Sequence, residues 1–171
     1  MNGPVESYDQ SAGGRYAEIN LLPVEAAREN ALRLISVGSG KEFQAQGGLQ
    51  STPNTNPHRV EWDLQDYSPL LREVFSKFTE IFEGDYEFHL GLLGNRFANR
   101  IIPGVGTFLY IGCDGDAGYE FLAAPGDDKI YSLRTDAPNA QPRYLAQTIY
   151  HLISMLGLPA ADEDRNWEDF S

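Results

Sequence analysis

The chain has 171 residues, 42% of them hydrophobic, which suits one domain with a sizeable core. Lys and Arg number 13 against 25 Asp and Glu, so the formal net charge is −12. Such a surface repels phosphate backbones and anionic lipid, which argues against nucleic acid and membrane binding and favours a basic protein partner. The acid surplus is even: residues 1–85 carry 7 basic and 13 acidic side chains, and residues 86–171 carry 6 and 12.

Residues 1–18 are polar and glycine-containing and read as a flexible N-terminus. A single α+β domain is expected over 19–158, and 159–171 form an acidic tail. Pro23 to Val37 read as a helix, with Val24, Ala27, Ala31, Leu34 and Ile35 on its apolar stripe and Gly38 as its stop. Residues 38–59 are rich in Gly, Ser, Asn and Pro and predict a long loop, with an irregular hairpin around 41–49. RVEWDL (59–64) alternates Val60, Trp62 and Leu64 and predicts a short strand. SPLLREVFSKFTEIFEG (68–84) predicts a helix capped by Ser68 and opened by Pro69, with Val74, Phe75, Phe78, Ile81 and Phe82 on one face.

From Asp85 the period changes to two. Residues 85–93, 107–112, 118–124 and 129–134 are expected strands, RIIPGVG a turn, and CDGDA and PGDD hairpin turns. Pro142 is expected to open a last helix through Leu156. Consecutive strands joined by short turns, flanked by helices, predict an α+β fold: an antiparallel sheet packed against helices.

Familiar site motifs fail on inspection. SVGSGKE (36–42) has Ile35 where a phosphate loop needs its first glycine, and Glu42 where it needs Ser or Thr. GVGTFL (104–109) has Leu109 in place of the third glycine of a dinucleotide loop. DGDAGYE places Gly118 at a calcium-ligand position and Tyr119 at the turn position. Cys113 is the single cysteine, so no intrachain disulfide and no thiolate zinc cluster can form. It ends an apolar run beside Asp114 and Asp116, a setting that suits a small buried hydrophobe better than a nucleophile. His58, His89 and His151 lie far apart with no metal-ligand pairing. No metal and no cofactor are expected.

The run IIPGVGTFLYIGCDGDAGYEFLAAPGDDKIYSLRTD, followed by RYLAQTIYHLISML, resembles the SMI1/KNR4 (SUKH) superfamily over about residues 99–157. The matching positions are Pro103, Ile111, Gly112, Gly115, Asp116, Gly126, Ile130, Tyr131 and the segment 144–156. The family's aromatic-rich opening with its Asn-Gly pair is absent, and Ala117 is an extra residue between Asp116 and Gly118. The resemblance implies a bacterial immunity protein that neutralises a toxin by binding it, without catalysis.

The expected activity is therefore association with a basic toxin or effector domain by a cytoplasmic monomer. The expected contacts are loop and strand-edge carboxylates, Asp114, Asp116, Glu120, Asp127, Asp128 and Asp136, with Tyr119 and Tyr131 as aromatic anchors. Two alternatives stay open: a dimeric chaperone or adaptor for a secreted effector, and an enzyme using the Asp-rich loop.

Overall fold

Apolar residues on one face of an antiparallel sheet gather five helices into a single core. The computed structural model describes residues 12–38, 49–82, 88–91, 98–115 and 118–156. In chain order these hold α1 (Ala12–Asn20), α2 (Val24–Gly38), β1 (Gln50–Pro53), α3 (Pro57–Asp63), α4 (Pro69–Lys77) and β2 (Phe78–Phe82). Then follow β3 (Phe88–Gly91), β4 (Ala98–Ile102), β5 (Gly106–Asp114), β6 (Tyr119–Ala123), β7 (Ile130–Arg134), β8 (Arg143–Ala146) and α5 (Ile149–Leu156). The fold is α+β with an antiparallel sheet, as the strand run predicts.

The sheet order is β1-β2-β3-β5-β6-β7-β8, with β4 also paired to β5. β5 is long enough to hold two strands on one edge. β3 pairs with its residues 112–114 and β4 with its residues 106–110, so β3 and β4 lie end to end. β6 takes the other edge of β5. Where β2, β3 and β5 cross, the backbones approach closely. A Cβ on Gly112 would overlap the His89 carbonyl and sit 2.6 Å from Leu90 Cδ2. Gly91, at φ +140°, meets the Thr79 carbonyl in the same way.

One sheet face carries Ile81, Leu90, Leu109, Ile111, Phe121, Ala123 and Ile130 into the main core. There they meet Tyr16 of α1, Ala27 and Ala31 of α2, Val60 of α3, Val74 and Phe75 of α4, and the apolar residues of α5. The opposite face has only a small cluster of its own, Ile102, Phe108, Leu122 and Leu133, flanked by Tyr110 and Tyr131.

Several expected boundaries are corrected. Residues 12–20 form α1 where the sequence reads as flexible, because Tyr16 is fully buried and Asn20 is tied to the far end of the chain. Asn20 Oδ1 accepts from the Gln147 amide at 2.8 Å, and its Nδ2 donates to the Tyr144 hydroxyl at 3.1 Å. Residues 59–64 lie in and just after α3, not in a strand. Val60 and Leu64 are four apart and both buried, while Trp62 is 73% exposed. In α2 the stripe holds except for Val24, which is exposed.

The expected helix over 68–84 stops at Lys77 and continues directly as β2. Asn54 explains the stop. Its side chain donates to the Phe75 carbonyl at 2.6 Å and its backbone amide to the Lys77 carbonyl at 2.9 Å, satisfying two C-terminal acceptors. Phe78 is consequently half-buried against the core instead of inside it. The last helix starts at Ile149, not at Pro142, because residues 143–146 extend the sheet as β8. Thr148 caps it, its Oγ1 accepting from the Tyr150 amide at 3.1 Å. RIIPGVG is half strand: β4 and β5 form a hairpin around Pro103–Val105. The proposed hairpin around 41–49, apart from Leu49, and the acidic tail lie outside the described residues.

Candidate partner-binding surface

The β6–β7 turn, expected to present Asp127 and Asp128 to a partner, is fastened to the helical side of the molecule. The Gly126 amide donates to the Asp66 carbonyl at 2.9 Å. The Ser68 hydroxyl donates to Asp128 Oδ1 at 2.5 Å. Asp127 closes the turn on itself, accepting from the Lys129 amide at 2.9 Å and from the Tyr131 hydroxyl at 2.6 Å. Burial, then Asp127, push the Tyr131 phenol up to about 12. Its ring meets Phe108 edge-on, with centroids 5.9 Å apart.

Other expected contacts are also engaged within the fold. Asp114 ends β5 only 2% exposed, so it is not a surface carboxylate. Tyr119 is buried beneath the Arg134 guanidinium, 5.8 Å from its ring centroid. Glu120 holds Arg100 through both Nε and Nη2, with the Nε contact at 2.9 Å. Asp136 is open, paired with Arg134 at 3.1 and 3.2 Å, and Asp128 is exposed too though held by Ser68. Arg134 holds the Asp136 carboxyl below the usual range. Asp116 lies outside the described residues. These carboxylates therefore do not converge. Among the described residues, no group of three His, Cys, Asp or Glu side chains is placed to hold a metal ion.

A different surface is open. The face of the sheet away from the helices carries a groove of about 440 Å³ between the β4–β5 hairpin and the 135–141 loop. Ile101, Ile102, Pro103 and Leu133 line it with Ala137, and Arg100 and Arg134 stand at its walls. The hairpin beside it exposes Ile101 by 73% and Val105 by 52%. Exposed apolar side chains rimming a groove with polar walls are the composition of a docking surface. Near the same face, burial and then Cys113 push the Tyr110 phenol well up, and Cys113 is half-buried.

Sequence patterning missed this surface because RIIPGVG reads as a turn. The available signal was Ile101–Ile102 next to Pro103–Gly104: adjacent isoleucines in a strand point to opposite faces, so one sheet face must receive each.

On the helical side, Glu73 accepts from Arg28 Nε at 2.6 Å and from the Tyr150 hydroxyl, joining α2, α4 and α5. The Tyr150 and Arg28 contacts hold the Glu73 carboxyl below its ordinary range. His151 is fully buried, its Nε2 2.8 Å from the Leu22 carbonyl and its Nδ1 2.8 Å from Thr148 Oγ1. Donation to a carbonyl requires the proton on Nε2, which leaves Nδ1 to accept from Thr148. Burial lowers its pKa, opposed by the Leu22 bond. Both constellations join elements of the core.

No protein-family model, no curated protein and no solved structure matches this chain. No helix among the described residues is long and apolar enough to cross a membrane.

Proposed function

We propose that the protein is a binding protein of the immunity type, which neutralises a basic toxin or effector domain by direct association. The observation that carries the reading is an open, groove-bearing sheet face on a chain of net charge −12. The acid surplus would steer a basic partner toward the surface, and the apolar lining would supply contact once it arrives. The SMI1/KNR4 resemblance over 99–157 supports the same reading, since it covers β4 through α5. The contact set shifts accordingly: Asp136 remains a candidate, while the exposed Ile101 and Val105 replace the internally engaged carboxylates as anchors.

The test is to purify the product of the adjacent gene in the source genome and measure association kinetics in 50 and 300 mM salt. Charge steering predicts an on-rate that falls roughly tenfold or more over that range. No complex at micromolar concentration, or an on-rate indifferent to salt, overturns the reading.

A further inference from the structure

The sheet has three strand edges without a strand neighbour among the described residues, and they are not alike. β1 ends at Pro53 with a register shift between Thr52 and Pro53. β8 follows Pro142, begins with the exposed Arg143, and pairs with β7 through a register shift. Proline, charge and bulges are the devices by which strand edges avoid pairing with another chain. β4 has no bulge and no proline within it, although Pro103 follows it. Its five residues, Ala98 to Ile102, pair with β5 in unbroken register. They contain no proline, and Ile101 is 73% exposed. Its one cation, Arg100, is neutralised by Glu120 through both Nε and Nη2.

The position of β4 explains why the edge is open. β2 and β1 continue the sheet beyond β3, whereas β4 lies further along β5 and has β5 as its one described partner. The sheet is thus stepped, and the step leaves the outer backbone of β4 unpaired by any described strand.

From this juxtaposition we infer that β4 is a docking edge, on which an extended segment of the basic partner adds as a further antiparallel or parallel strand. The inference rests on the binding reading above and names where the partner sits. Main-chain hydrogen bonds would provide the affinity, and a partner side chain beside Ile101 the cross-strand contact. Charge selects the occupant. With Arg100 held by Glu120, the described residues of β4 offer no unpaired positive charge to repel a basic strand, and the chain as a whole attracts one.

The experiment uses the full chain with the adjacent-gene product as probe, read by amide hydrogen exchange and by binding kinetics. Docking on β4 predicts at least tenfold slower exchange for amides in 98–102 in the complex. It also predicts that Ile101→Glu dissociates at least tenfold faster than wild type, while Ile101→Val stays within threefold. Glutamate is the discriminating choice: attraction to a basic partner alone would make that variant bind more tightly. A complex that forms without protecting 98–102, or that tolerates Ile101→Glu, removes this inference and leaves the binding reading standing. Absence of any complex removes both. Self-association of the isolated chain with protection of 98–102 identifies a second copy as the occupant and overturns the partner-strand assignment.

Discussion

The Ser68 hydroxyl donates to Asp128 at 2.5 Å across 60 residues of sequence, while the same oxygen accepts from the Leu70 amide at 3.1 Å. One side chain therefore caps α4 and pins the β6–β7 turn to its N-terminus. Ser68→Ala should cost about 1–2 kcal/mol, as loss of a cap does. Asp128→Asn should cost about 1 kcal/mol, reduced because the aspartate is exposed. A double-mutant cycle by urea unfolding should give a coupling of about 0.5–1.5 kcal/mol. Strict additivity would mean the two residues act independently.

Gly112 is where three strands crowd. Gly112→Ala places a methyl against the His89 carbonyl and Leu90, both backbone-anchored. The expected loss is about 3 kcal/mol or more, at the upper end for overpacked positions. Circular dichroism with urea titration measures it. A loss below 1 kcal/mol would show that β3 can move away from β5.

Phe75 and Phe78 separate the helix from the strand that follows it. Phe75 is buried at 1% exposure in α4, and Phe78 is half-buried at the start of β2. Phe75→Ala should cost about 3–5 kcal/mol. Phe78→Ala should cost roughly 1–2 kcal/mol, in proportion to the area it hides. Equal losses would indicate that the helix runs on past Lys77.

Acid sensitivity should appear in two windows. The folded-state pKa of His151 lies below its unfolded value near 6.5, so the unfolded chain binds the extra proton first. Its contribution is fully present above about pH 6.5 and is lost as pH falls toward the folded value. Glu73 is also depressed, so its contribution is present above the ordinary carboxylate pKa near 4.5 and is lost at still lower pH. Thermal unfolding of wild type should therefore weaken between pH 7 and 5. His151→Gln should flatten that slope while leaving the drop below pH 4.5. An unchanged slope in the variant would assign the upper window to other groups.

The period-two alternation of 107–134 was legible as three antiparallel strands because each strand is a complete local pattern closed by Gly and Asp turns. α2 was legible for the same reason. The junction at Lys77–Phe78 was not, since FTEIF continues the helical spacing of the preceding stripe and the residue that ends the helix is Asn54, far upstream. The start of α5 was hidden by Pro142, a plausible helix opener that instead precedes an edge strand. The candidate surface was the least legible part. Asp-Gly turns look like exposed acid in sequence, yet Asp127 and Asp128 are consumed by Tyr131 and Ser68.

The end-to-end placement of β3 and β4 on β5 gives the sheet a seam. β4 takes its register from β5 alone, at residues 106–110, whereas β3 pairs with β5 at 112–114 and with β2 on its other edge. A change in the number of residues joining them at 92–97 would therefore transmit no slip from one strand to the other. A one-residue slip of β4 itself would exchange the sheet faces taken by Arg100, Ile101 and Ile102 while leaving the β3–β5 pairing in place. The seam uncouples the register of the exposed β4 hairpin from that of the core strand β3.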